Sequence, residues 1–530
     1  MRYPSPRWTA PVLLCILLFV CILIPPASAT VHNVKTECGA VGNGSNDDTA
    51  AINACISRLG PGDTLLFPAG TYKIGGSLNA ITDDNVTVDG SNSTATIKAG
   101  TSGITLLTVG AQSLSASTPL TAASAELDNT VNANWSAIGV VGGSYVYIEE
   151  GTTSGHLCGD SGCRGEVVKV QSVNSNVATL TTAVHQLYDA SCCAAWVKKL
   201  LNPVSGVTIQ NINLDGSGTA SYGLAALNAV NLTVSGLNSS HVTLGAIAAV
   251  NGFNQSYNNI TITHAGSNTG GSIGGSAFSL AQQGSPTVNG VTISSLNSFG
   301  FGFIPFRLGG GTFSNISVDG AGTGGGRPFK TNSTAYNTFN SITIHHAEGA
   351  SYNGLTIEYF SAHNTWNNCV ITNMGGSDNA AVSMYGDTNG AQQGSNHYNT
   401  FNNCTISAPV NEYAFRNIDH NDHMEINGGT FSGISGSSVI VVGERGLSTN
   451  AYIHNVTIST GSVGVNLITS SNGCITSNSL SGVSNTISSG SSTNVGSGNS
   501  PNNGDLTVGS CGSGSSSAPA APTGLTATVN

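Results

Sequence analysis

Short runs of alternating apolar and polar residues recur along this chain at regular intervals. Runs that mostly end in Thr or Ser followed by Ile or Val close at Ile209, Val234, Ile262, Ile293, Val318, Ile344, Ile371, Ile406, Phe431 and Ile458. The intervals are 25, 28, 31, 25, 26, 27, 35, 25 and 27 residues. A period of this size marks stacked supersecondary units, none of which can bury its apolar face alone. Alternation at period two makes each unit strand-like. Most units carry a second strand-like run further on, at 223–227, 245–250, 301–306, 354–359, 412–417 and 437–442. Ten such coils at the roughly 4.8 Å spacing of paired strands form a rod of about 45 Å.

Segments 336–344, 363–371 and 398–406 are near copies, and 423–431 is a weaker fourth. Superposed, they give columns. Phe339, Trp366, Phe401 and Ile426 are expected inward, and Asn340, Asn367, Asn402 and Asn427 form an amide ladder. Strand parity sends Tyr336, His363, Tyr398 and His423 outward.

The rest of the chain frames this repeat. Residues 1–29 read as a secretory signal: Arg2 and Arg7, an apolar run over 12–24, Pro25-Pro26, then Ala27-Ser28-Ala29. Residues 30–110 read as a cap and first coils. Asp47-Asp48-Thr49 can start a short helix whose apolar side is Ile52, Cys55, Ile56 and Leu59, ended by Gly60-Pro61. Segment 111–200 breaks the rhythm and is expected to be an inserted β-subdomain of more antiparallel character. Residues 201–480 form the main coils. Residues 481–520 are Ser/Gly/Asn-rich and read as a closing segment and linker, and 521–530 resemble the first strand of a fibronectin type III module.

The run from Gly39-Ala40-Val41-Gly42-Asn43-Gly44 to Ala51-Ile52, followed by Phe67-Pro68-Ala69-Gly70-Thr71-Tyr72, resembles the N-terminal signature of the pectate-lyase superfamily. It is most similar to the rhamnogalacturonase/epimerase-like pectate lyase domain. The resemblance implies an all-β, single-stranded, right-handed parallel β-helix acting on polysaccharide. The chain lacks the Asn-Thr-Asp, Asp-Asp, Gly-His-Gly and Arg-Ile-Lys series of the polygalacturonases, so no family catalytic residue carries over by position.

Only 8% of the residues are charged. Without the signal's two arginines the balance is 13 − 26 = −13. That excludes nucleic acid and anionic membranes as natural partners and leaves polysaccharide. Ten cysteines follow the signal, an even number that suits disulfides in an exported chain. Cys38 can reach Cys55, Cys158 can reach Cys163, and Cys369 and Cys404 share a column. Zinc on His156, Cys158, Cys163, Cys192 and Cys193 is the alternative.

The candidate chemistry follows from the columns. Tyr336, His363 and Tyr398 offer rings to a sugar. Arg307, Lys330, Glu358, Asp387, Arg416 and Glu444 recur on successive coils and could line a groove. The densest titratable segment is 412–425. There Asp419, Asp422 and Glu425 could supply the carboxyl pair of a glycoside hydrolase. His420 or His423 could be the base and Arg416 the charge stabiliser of a β-elimination, and Asp419, Asn421 and Asp422 could hold Ca²⁺. The expected function is an extracellular polysaccharide lyase or glycoside hydrolase. A non-catalytic carbohydrate-binding or adhesive β-helix is the alternative.

Overall fold

The computed structural model describes residues 29–151, 164–188, 194–266, 275–296, 301–320, 327–347, 353–374, 380–386, 396–410 and 413–511. The signal segment, Cys158, Cys163, Cys192, Cys193, Asp387 and the fibronectin-like end lie outside them.

The chain is a right-handed parallel β-helix. Strands Val31–Asn33, Thr64–Leu66 and Thr87–Asp89 stack in register, and the last pairs directly with Thr208–Gln210. The long insertion between them therefore leaves the ladder unbroken. Among the described residues the coils build a 23-stranded sheet, a 14-stranded sheet and a short four-stranded one. Inward positions fill the core without exposure: Tyr257, Val288, Phe313, Phe339, Trp366, Phe401 and Ile426. Their rings stack along the axis, with Phe339 and Trp366 centroids 3.8 Å apart and 5° from parallel. The amide ladder also forms: Asn367 donates to Asn340 at 2.9 Å and Asn402 to Asn367 at 3.0 Å. A second, fully buried ladder of Asn337, Asn364 and Asn399 runs beside it.

Helix α1, Thr49–Ile56, closes the N-terminal end with Ile52, Cys55 and Ile56 buried. It stops before Gly60-Pro61, and Leu59 packs from the turn that follows. Asp48 does not cap it. Its carboxylate accepts instead from the backbone of Val41 and Gly42. Disulfides join Cys38 to Cys55 and Cys369 to Cys404 as expected, and Cys474 to Cys511 in addition.

Two readings of the repeat need correcting. Val234 pairs with Tyr257, while Ile262 pairs with Ser239. The column of strand ends therefore slips at that coil, because a serine occupies the inward place where an aliphatic residue was sought. The coils also continue past 480. Val483–Ser489 pairs with Gly461–Leu467, and Val495–Ser497 with Cys474–Thr476. Here buried amides carry the stacking, as in the Asn478–Asn499 bond of 3.0 Å, so the apolar signal is thin.

The insertion is a six-stranded antiparallel sheet with its own core around Trp135, Val146, Ile148 and Val168. It docks on the 14-stranded sheet through Tyr145, Tyr147 and Val167 against Val230 and Phe253. Close approach is allowed by glycines. A Cβ on Gly284 would lie 1.9 Å from the Val167 carbonyl oxygen, and one on Gly309 would lie 2.5 Å from His185.

Candidate functional site

From Thr87–Asp89 to Cys474–Thr476, the described coils turn a corner two residues before the strand that opens each coil in the long sheet, and the corner residue takes positive φ. In most coils that residue is Asn, Gly or Ser: Asn85, Gly206, Asn231, Asn254, Ser285 and Gly310, then Asn450 and Asn472 further on. These are the residues that tolerate the left-handed region. Between them, on four successive coils, stand Tyr336, His363, Tyr398 and His423, with φ of 56°, 52°, 52° and 51°. A second corner of the same coils keeps Ser341, Asn368, Asn403 and Gly428. The two tyrosines held in this region carry strain of order 1 kcal/mol or more, and such strain collects at functional sites; histidine tolerates it better, as at His241 and His264.

The four rings form one stack. Centroids lie 4.4 Å apart for Tyr336 and His363, 4.8 Å for His363 and Tyr398, and 4.3 Å for Tyr398 and His423, all within 20° of parallel. Their faces are therefore spent on one another. This corrects the expectation of ring faces offered to a sugar: the column presents its polar edges.

The antiparallel insertion meets this column. Glu126 Oε2 lies 3.0 Å from His363 Nε2 and accepts from the Tyr336 hydroxyl at 3.1 Å, while Oε1 lies 3.2 Å from His397 Nε2. Burial pushes the Glu126 carboxyl up. Hydrogen bonds and charge from His363 and His397 more than reverse this and hold it well below the usual carboxylate range. His185 comes from the same insertion. Its Nδ1 lies 2.7 Å from Oε2 of the fully buried Glu166, and its ring rests on Gly309 and Gly310. Between the two bodies lies a cleft of about 340 Å³ lined by Leu127, Thr181, His185, Gly310, Tyr336 and His363 among others.

At the far end of the column His423 Nδ1 lies 2.7 Å from Asp422 Oδ2, and Asp422 Oδ1 accepts from Thr449 and Asn450. Burial raises the Asp422 carboxyl, but those bonds and His423 bring it below its ordinary value. Burial, Asp422 and Glu126 together raise the Tyr398 phenol, and burial and Glu126 raise that of Tyr336. Both phenols stay protonated, and that of Tyr336 donates to Glu126.

The structure sorts the sequence candidates into separate groups. Asp422 and His423 join Tyr336, His363 and Tyr398 in the ring column. Arg416 instead forms a two-point pair with Glu444, one contact being 2.7 Å. Glu425 lies 2.9 Å from His454 on the next coil. Asp419 is buried, its backbone carbonyl accepting from Asn421 and Ser448. Lys330 pairs with Glu358 at 2.6 Å. Arg307 is buried under the insertion, 3.4 Å from Glu149. Lys330 and Arg416 share one column of the 14-stranded sheet through Thr356 and Ser383, with Glu358 in the next column but one. Among the described residues the charged set is thus engaged in ion pairs, Arg307 with Glu149, Lys330 with Glu358 and Arg416 with Glu444. Glu126, His185 and His397 were not foreseen. Glu126 lies in an insertion whose docking no repeat reveals, and His397 sits one residue outside the copied phrase.

Residues 31–140 match the family described as rhamnogalacturonase A/epimerase, pectate lyase-like. The chain carries a pectate lyase-like domain. No curated protein matches the sequence. Three solved structures share the fold, all at low identity. The tailspike protein gp49 of Pseudomonas phage LKA1 aligns over 88% of this chain and 84% of its own, at 13% identity and TM-score 0.54. The Gp54 tailspike of Acinetobacter baumannii phage AP22, in complex with capsular saccharide, aligns over 86% and 74%, at 12% and 0.55. The gp61 tailspike of Pseudomonas phage phi297 aligns over 86% and 80%, at 12% and 0.50.

Proposed function

We propose that this protein is a secreted polysaccharide lyase that binds an acidic, pectin-type chain along the ring column, from the cleft at Tyr336 and His363 toward Tyr398 and His423. The column itself carries the reading. Tyr and His replace Asn, Gly and Ser on four successive coils, the two tyrosines at a backbone conformation that disfavours them, beside a carboxylate from the insertion. A tailspike of the same fold is solved with a capsular saccharide, which supports polysaccharide as the ligand class. The disulfides suit an oxidising compartment.

Elimination suits these groups better than hydrolysis. Hydrolysis needs a protonated carboxylic acid opposite a second carboxyl group. Glu126 and Asp422 are both tied to imidazoles and held ionised. Elimination needs a base for the proton α to the uronate carboxylate and an acid for the departing oxygen. His423, oriented by Asp422, takes the proton. Tyr398, stacked on His423, donates its own to the leaving oxygen as the C–H pair becomes the new double bond and the C–O bond breaks. Tyr336 and His363 position the chain. Arg416, Asp419 and Glu425, and Arg307, Lys330 and Glu358, stand outside this step.

The test is a panel of pectic, alginate-like and neutral polysaccharides, with and without Ca²⁺. Ultraviolet absorbance of an unsaturated uronide, lost in His423→Gln, supports the reading. New reducing ends without that absorbance point to hydrolysis. Saturable binding with neither product points to the non-catalytic alternative.

A further inference from the structure

We propose that Glu126, His363 and His397, the second of which lines the cleft, form a binding site for one divalent transition-metal ion of the zinc class. One ligand atom from each side chain lies within 4.8 Å of the other two, and among the described residues this is the group of three that converges so. The carboxylate oxygens are 3.0 Å and 3.2 Å from the two Nε2 atoms. A tetrahedral zinc site with bonds of about 2.0–2.2 Å has ligand edges of about 3.3 Å, which the two carboxylate–imidazole edges approach, while the imidazole nitrogens need only close from within 4.8 Å of each other.

The donor set decides the ion. Two imidazoles and one carboxylate suit zinc and its first-row neighbours, whereas Ca²⁺ and Mg²⁺ take oxygen. Three protein ligands leave room for water or a ligand from the cleft, as open zinc sites do. The ring of His363 is held between Tyr336 and Tyr398 at 4.4 Å and 4.8 Å and meets that of His397 edge-on at 5.3 Å. Its nitrogen is therefore aimed before any ion arrives. The Tyr336 hydroxyl, 3.1 Å from Glu126 Oε2, orients the carboxylate from behind, a supporting contact of the sort that metal ligands require. The histidines come from successive coils and the glutamate from the insertion. An ion bound here would also staple one body to the other. The site goes beyond the lyase reading and does not rest on it.

The full chain, stripped with a chelator and free of polysaccharide, is titrated with Co²⁺ and then Zn²⁺. The expected result is visible d–d absorption saturating at one Co²⁺ per chain, displacement by Zn²⁺, and a higher melting temperature with metal. His363→Gln and His397→Gln should each weaken binding at least tenfold. His241→Gln, in the separate His241–His264 stack, should leave it unchanged. Should either variant lose its β-sheet circular dichroism, Glu126→Gln replaces it with the same expectation. Absence of saturable binding in the wild type, or equal binding in the variants, overturns the site and leaves the three groups as a hydrogen-bonded buttress. The readout needs no substrate, so failure of the lyase reading leaves it intact.

Discussion

The Glu126 carboxylate lies 3.0 Å from Nε2 of His363, an ionised contact between the antiparallel insertion and the parallel helix. Replacing it with Glu126→Gln keeps the shape and removes the charge. Hydrogen bonds to a charged group contribute about 1.5–3 kcal/mol, so the melting temperature at neutral pH should fall by a few degrees. The sign with pH follows from the depressed carboxyl of the folded state. Its contribution is present above the unfolded carboxylate range and is lost as pH falls through the folded value, well below that range. Melting curves of both proteins should therefore converge in strong acid and stay apart near neutrality.

The ring column trades stability for function, and Tyr398→Asn separates the two. Asparagine tolerates the φ of 52° that tyrosine occupies here. Relief of backbone strain offsets the lost stacking on His363 and His423, each term about 1 kcal/mol. Thermal stability should change by less than about 1 kcal/mol, while turnover of the polysaccharide identified by the panel should fall by roughly 10²-fold. Asn403→Tyr, at the other corner, is the reverse experiment and should only destabilise.

Much of the fold is legible in the sequence because burial writes itself as period. Phe339, Trp366 and Phe401 repeat, and the Asn340–Asn367–Asn402 ladder repeats with them. The αL corner is equally periodic, but its usual Asn and Gly hide it, so Tyr336 and His363 read as plain strand residues by parity. Their outward direction was right and its cause was a turn. Glu126 could not be found this way. Its partners Tyr336 and His397 are 210 and 271 residues away, and contact between an inserted domain and a coil leaves no period. The charged column over 307–444 misled for the opposite reason. It recurs, but in Lys330–Glu358 and Arg416–Glu444 pairs that neutralise one another.

Asp422 orients the proposed base without touching substrate. Asp422→Asn should lower kcat by about 10²-fold and leave KM within a factor of two to three. A merely structural aspartate would move the melting temperature and not this split. His423→Gln should show the same split, and the double variant should be little worse than either single one, since the two act as a unit.

The inward stack is the part of the coil on which the corner rings depend. Trp366 is buried between Phe339 at 3.8 Å and Phe401 at 6.2 Å, and its strand follows the His363 corner directly. Trp366→Ala should destabilise by about 3–5 kcal/mol, because the neighbouring coils cannot close over so large a void without breaking register. Trp366→Phe keeps a ring in the stack and should cost less than half of that. Metal-independent melting curves check both. If the corner rings are set by the core beneath them, polysaccharide turnover should follow the same order, with Trp366→Phe retaining most of it and Trp366→Ala little, even at temperatures where both remain folded.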